Sequence, residues 1–236
     1  MATAVVPHAA HPATTTGLDH RKVAIWAFIG SECMLFASLI STYLIYKGRS
    51  VVGPFPHEWW CPDTRTQTFC AGESAAHYVH TLKPILNIPV TSQSTFVLLM
   101  SSLAMVLALS AVENKDKMPA NPTLGERILG SSRLWLFMTA LMGATFLGYQ
   151  AFEFTSFVHE GLTIRTNLFG SSFFTLTGFH GAHVTAGVLW LLTLLAIDLK
   201  RGLGPKDALI VDISALYWHF VDVVWIGIFT LVYLIR

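Results

Sequence analysis

Residues 89–112 read PVTSQSTFVLLMSSLAMVLALSAV, twenty-four consecutive positions without Asp, Glu, Lys, Arg or His. As a helix rising 1.5 Å per residue, such a run reaches about 36 Å, enough to cross a hydrocarbon layer of roughly 30 Å. It does not show the apolar–polar alternation over ~10 residues that a membrane strand requires. Four further runs share its character, over about 22–46, 133–158, 169–198 and 212–235. The composition of the 236-residue chain agrees: 53% is hydrophobic and only 12% charged, about half the usual ~25% of soluble domains, with a mean hydropathy of +0.55. The fold class predicted is therefore all-α, a polytopic membrane bundle of five transmembrane helices. Such a chain is not a soluble enzyme or a disordered segment, and a net charge of +1 leaves no footprint for nucleic acid.

The distribution of cations sets the expected orientation. With the N-terminus cytoplasmic, the inner side holds Arg21, Lys22, Lys115, Lys117, Arg127, Arg133, Lys200, Arg201 and Lys206, nine in all. The outer side then holds six: Lys47, Arg49, Arg65, Lys83, Arg165 and Arg236. The C-terminus is thus expected outside. Residues 1–21 read as a flexible cytoplasmic tail, residues 22–236 as a single five-helix domain, and residues 47–88 as an extracytoplasmic loop. That loop contains Cys61 and Cys70 in WWCPDTRTQTFC. A nine-residue separation around Pro and Asp can close a hairpin-like loop on the oxidising side of the membrane, so a Cys61–Cys70 disulfide is expected. Two free thiols are the alternative. Cys33, mid-span, reads as an apolar filler.

Two stripes of small residues four apart, Ala140–Ala144–Gly148 and Gly178–Ala182–Ala186, predict close packing of the third and fourth spans on neighbours. Ionisable groups inside the spans need a separate reason, since each costs about 2.5–3.5 kcal/mol on insertion scales. Glu32 lies ten residues into the first span. It reads either as an acid hydrogen-bonded to a neighbouring helix or as a proton-linked or lipid-contacting carboxyl. Glu153 stands towards the end of the third span. His180 and His183, three apart, share a face of the fourth. A transmembrane b-type haem needs axial His residues on facing helices, and only His219 could oppose this pair. Asp222, three residues beyond His219, could accept from its imidazole N–H as a satisfied buried pair. A proton relay would require more such groups, and the second span has none.

Four stretches carry a resemblance. YWHFVDVVW (Tyr217 to Trp225) strongly resembles the terminal helix of subunit III of the haem–copper cytochrome c oxidases. FGSSFFTLTGFHGAHVTAG (Phe169 to Gly187) is similar to that family's Gly-Phe-His-Gly-x-His-Val segment. FLGYQAFEF (Phe146 to Phe154) resembles its Gln-x-x-Glu-Tyr pattern, with Phe154 in place of Tyr. FIGSECMLFAS (Phe28 to Ser38) resembles the helix bearing its intramembrane glutamate, here Glu32. The stretches occur in the family's order and leave out the N-terminal tail, the outer loop and residues 113–132. Many members have seven helices, with a lipid-filled cleft between the first two and the rest; this chain resembles the five-helix bacterial form, beginning at the third. The Cys61–Cys70 loop is outside the family pattern.

The resemblance implies a multi-pass subunit of an aerobic terminal oxidase in the bacterial plasma membrane. The complex oxidises cytochrome c, reduces O₂ to water and translocates protons along the electron transport chain. The haems and copper belong to subunits I and II, so this chain is expected to hold no cofactor, no metal and no catalytic residue. It would pack directly on subunit I near the entrance of a proton-uptake path, bind phospholipid, meet cytochrome c only indirectly and protect the enzyme during turnover. Glu32 matches the carboxyl that reacts with hydrophobic carbodiimides; Glu153, His180, His183, His219 and Asp222 match polar-interior or lipid-contact positions. Two other readings stand beside it: a stand-alone membrane b-type haem protein using His180 or His183 with His219, and a small proton-coupled transporter built on Glu32 and Asp222.

Overall fold

The computed structural model describes residues 19–47, 86–119 and 121–235. The Cys61–Cys70 pair, most of the 47–88 loop, nearly all of the N-terminal tail and Arg236 lie outside the described residues. Among the described residues there is no strand, and five helices are long and apolar enough to cross a membrane. They are α1 (His20–Tyr46), α2 (Ile88–Glu113), α4 (Ser132–His159), α5 (Leu168–Arg201) and α6 (Ala208–Phe229), with a short α3 (Leu124–Leu129) joining α2 to α4. The chain continues from α6 through one π-helical turn, Thr230–Leu234.

Polar residues start each long span but the last. Asp19 accepts from the Arg21 amide at 2.8 Å, Ser131 from Leu134 at 3.4 Å and Asn167 from Gly170 at 2.6 Å. Each provides an acceptor for an amide that the first helical turn leaves without one. Asn87 caps α2 and is followed by Pro89, which has no amide to satisfy. At the other end of α5, Gly202 takes φ 73°, a left-handed conformation that a side chain would resist.

Helices α2, α4, α5 and α6 close a ring of pairwise contacts, and α1 leans on α5 and α6. Lys22 at the start of α1 fastens it to Asp212 of α6 at 2.7 Å. At the other end, the Lys47 ammonium donates to the carbonyls of Leu231 and Ile235 in the last turn of the chain. The core of the ring is an aromatic column: Trp218, Trp225, Phe146, Phe173 and Tyr233 are all buried, with Phe146 edge-on to Trp225 at 4.8 Å. Edge-to-face pairs of this kind add about 0.5–1.5 kcal/mol each to their apolar burial.

Of the two small-residue stripes only Ala140 is buried, so as stripes they do not supply the close approach. Ala144, Gly148, Ala182 and Ala186 are exposed on the outside of the bundle. Large side chains instead press on the helix backbone at Gly143, Gly181 and Gly187. A Cβ at Gly143 would fall 2.5 Å from Trp218 Cη2, and one at Gly187 would fall 2.8 Å from the same indole. One large ring thus determines which glycines matter; a four-residue spacing alone does not specify the inward side. Cys33 is likewise exposed on the outer side of α1, so it fills no gap in the core.

Outside the spans, α3 carries a complete capping box. The Thr123 amide and hydroxyl donate to one Glu126 carboxyl oxygen at 2.7 and 2.9 Å, and the Glu126 amide returns to the Thr123 hydroxyl at 3.4 Å. The bond from the Thr123 amide, seconded by its hydroxyl, holds the Glu126 carboxyl below its usual pKa. A carboxyl whose folded pKa is depressed stabilises the fold above its unfolded pKa and loses that contribution as the pH falls through the folded value. Amide exchange in residues 124–129 is therefore expected to accelerate, relative to its intrinsic pH dependence, only as the pH falls below the ordinary carboxyl value of about 4.5. Glu126→Gln should flatten that response. An identical pH response in the two proteins would show that the box does not stabilise α3.

Candidate functional site: polar groups held between the spans

Glu32 and His183 meet at the α1–α5 boundary, with Glu32 Oε2 3.1 Å from His183 Nε2 and both side chains 16% exposed. The other imidazole nitrogen, Nδ1, donates to the Phe179 carbonyl at 2.8 Å. That bond assigns a proton to Nδ1, so Nε2 and the Glu32 carboxyl share a single further proton. The pair is either carboxylic acid with imidazole or carboxylate with imidazolium, and it is neutral overall in both forms. Neutrality is what a low-dielectric setting demands of two ionisable groups. Tyr217 of α6 donates to the His183 carbonyl at 3.0 Å, and Phe36 stands edge-on to the imidazole at 5.1 Å. Three helices thereby fix the pair.

His180, one turn earlier, is wholly buried and belongs to a different contact. Its ring lies against Trp225 at 4.8 Å and edge-on to Phe146 at 5.7 Å, and Nε2 donates to the Val221 carbonyl at 3.3 Å. His219 turns the other way, to Ser102 of α2 at 2.6 Å from Nδ1. This corrects the expected His219–Asp222 pair. Residues three apart share a helix face but sit on successive turns, and here the imidazole reaches across to the neighbouring helix. Asp222 is buried and faces the same Ser102 hydroxyl without closing a hydrogen bond of good geometry. Glu153 is held at the far end of the bundle by Thr91 at 2.8 Å and by Tyr233.

Glu32 and the five residues expected at polar-interior or lipid-contact positions are therefore spread over α1–α5, α2–α4, α2–α6 and α5–α6 contacts. Among the described residues, no three His, Cys, Asp or Glu side chains gather as a metal site. The three imidazoles of the spans face three different neighbours.

Two features went unnoticed in the sequence. The hydroxyls of α2 form a ladder: besides Thr91 and Ser102, Thr95 accepts from the Trp225 indole at 2.9 Å and Ser101 from the Trp218 indole at 3.0 Å. The six Ser and Thr residues in 91–102 carry that signal, since a lipid-facing span has little use for so many. The second is Asp198, at the end of α5 and 1% exposed. It accepts from the Ser132 hydroxyl at 2.6 Å and the Leu203 amide at 2.7 Å, with Arg133 3.8 Å away. An acid inside the last turn of a span, where cations are favoured, was the available clue.

Fold and site together define a multi-pass helical membrane protein whose intramembrane acids and imidazoles are bonded mostly to neighbouring spans. The family model described as cytochrome c oxidase subunit III matches residues 75–235. Cytochrome c oxidase subunit 3 of Bacillus sp. (strain PS3) is 37% identical over 215 residues, 91% of this chain and 86% of that protein. Quinol oxidase subunit 3 of Bacillus subtilis is 32% identical over 234 residues, 96% of each chain. Cytochrome bo(3) ubiquinol oxidase subunit 3 of Pseudomonas aeruginosa is 32% identical, covering 99% of this chain and 98% of that one. The chain belongs to the cytochrome c oxidase subunit III family, the third subunit of the haem–copper oxidases.

Proposed function

We propose that this chain is a non-redox subunit of a proton-pumping terminal oxidase of the bacterial plasma membrane, packed on subunit I, in one complex with subunit II and in contact with phospholipid. Haems and copper reside in the partner subunits, and the electron donor docks elsewhere on the complex. Relatives named as cytochrome c oxidase and as quinol oxidase subunits match this chain alike, as expected of a subunit that does not read the donor. The observation that carries the reading is the use of the motif's own imidazoles as struts. Both nitrogens of His183 and Nε2 of His180 are engaged within the bundle, and the unpartnered His180 Nδ1 is enclosed in it, which supports packing over axial ligation for these rings. The cations at the α1 start, the α2–α4 connector and the α5–α6 turn lie on one side, which supports a cytoplasmic N-terminus.

In this reading the Glu32–His183 pair at the edge of the bundle stores one proton, which passes between the carboxyl and Nε2 without changing the charge of the pair, while its release leaves one negative charge there. Its contribution is support of proton uptake, not the pump stroke. Glu32→Gln in the purified oxidase is expected to leave the subunit bound, with O₂ reduction and pumping retained. Abolished pumping with the subunit still in place would assign Glu32 an obligatory part and overturn the supporting role. Full retention of turnover and proton-uptake rates across pH would show that the pair stores nothing of consequence.

A further inference from the structure

The α2–α4 connector, which none of the four motif stretches covers, holds the feature that the function above does not use. Helix α3 lies two residues before α4 begins, so it sits at the depth where a span meets the headgroups. Trp135 in the first turn of α4 donates its indole N–H to the Ile128 carbonyl at 3.0 Å, tying α3 to that boundary. Leu124 and Ile128, four apart, share one side of α3, whereas Leu129, three residues after Glu126, turns towards the cavity behind the helix. All three are exposed, Leu124 to 75%. Arg127 flanks this apolar sector, while Glu126 on the far side is spent on the capping box. Arg133, at the start of α4, is also more than half exposed. Behind α3, a cavity of about 230 Å³ is lined by Ser110, Asn114, Lys117, Met118, Glu126 and Leu129 among others.

We propose that α3 is a membrane-surface anchor: Leu124 and Ile128 dip into the acyl boundary of the adjoining leaflet, and Arg127, with Arg133, holds a phospholipid phosphate. An apolar sector beside a guanidinium at headgroup depth is the pattern of interfacial helices, and a long cationic side chain reaches from apolar surface to the phosphate plane. The capping box fixes the rotation of α3, so its one acid points away from the lipid. The inference requires only that α2 and α4 cross the membrane; it stands or falls independently of the oxidase reading.

The test uses the intact complex in native membranes, with photoreactive p-benzoylphenylalanine placed at position 124, 128 or 129 in three separate preparations. Irradiation and intact-mass spectrometry of the chain are expected to show phospholipid adducts as the main product from 124 and 128, and little from 129, which faces the cavity behind α3. Arg127→Ala should lower the lipid adducts at 128. Cross-links from 124 and 128 to another polypeptide would make this face a protein contact and overturn the proposal. Equal lipid adducts at all three positions would equally remove the oriented anchor. Two probe positions guard against a single failed assembly, because both side chains are exposed and their loss removes no core packing.

Discussion

Gly143→Val is expected to disrupt the bundle at its centre, lowering the thermal midpoint of the purified protein and loosening α4 from α6. The Cβ alone would stand 2.5 Å from the Trp218 ring and 2.9 Å from Val188 Cγ2. Trp218 has little room to retreat, because its other edge lies so close to Gly187 that a Cβ there would fall 2.8 Å from the ring, and its N–H is bonded to Ser101. Overpacking a tight interior costs about 1–3 kcal/mol where neighbours can shift, and the confined indole places this site at the upper end or beyond. Gly148→Val is the matched control: nothing lies within 4 Å of its added Cβ, so the change should stay within about 0.5 kcal/mol. Equal effects of the two substitutions would mean that the outward Ala144–Gly148 side, and not the Trp218 socket, sets helix packing.

Asp198→Ala is expected to be nearly as damaging by another route. Removing the carboxylate strands the Ser132 hydroxyl and the Leu203 amide, and each buried donor left without an acceptor costs about 1–3 kcal/mol. Arg133 loses little, being more than half exposed at 3.8 Å, and pairs of that kind contribute ~1 kcal/mol at most. The effect should localise to the α5–α6 turn, where Leu203 also receives the Lys115 ammonium on its carbonyl. Asp198→Asn keeps one acceptor oxygen and should recover part of the stability. Thermal unfolding of the three proteins in one detergent measures the order; an Asn variant no better than Ala would assign the role to charge instead of hydrogen bonding.

The five spans were legible because crossing a bilayer imposes a length and a composition that residues 89–112 and their counterparts meet without ambiguity. Helix type and order therefore came from elementary arithmetic. Rotation of each helix did not. In a soluble protein an amphipathic stripe marks the buried face, whereas lipid and core are both apolar here, and the outward side of α4 reads like its inward side. That is why Ala144 and Gly148 were assigned to packing while Gly143 was passed over. The candidate site was legible in part for the same reason. Glu32, His180 and His183 stand out as costly residues in an apolar run, but their partners are defined only by rotation. His183 finds Glu32 on α1, His180 finds a backbone carbonyl on α6, and His219 finds Ser102 instead of Asp222. The Ser and Thr residues of α2 looked inert singly and became legible only as acceptors for indoles arriving from α6.

The central claim is that this chain works inside an oxygen-reducing assembly and carries none of its redox centres. Native mass spectrometry of the complex captured through a tag on this chain, in mild detergent, tests that directly. The account predicts one copy of the chain per copy of a large haem-bearing subunit, and, on collisional release, a chain mass free of haem and copper. A released chain retaining stoichiometric haem, or a preparation in which it travels without oxidase subunits, would contradict the account.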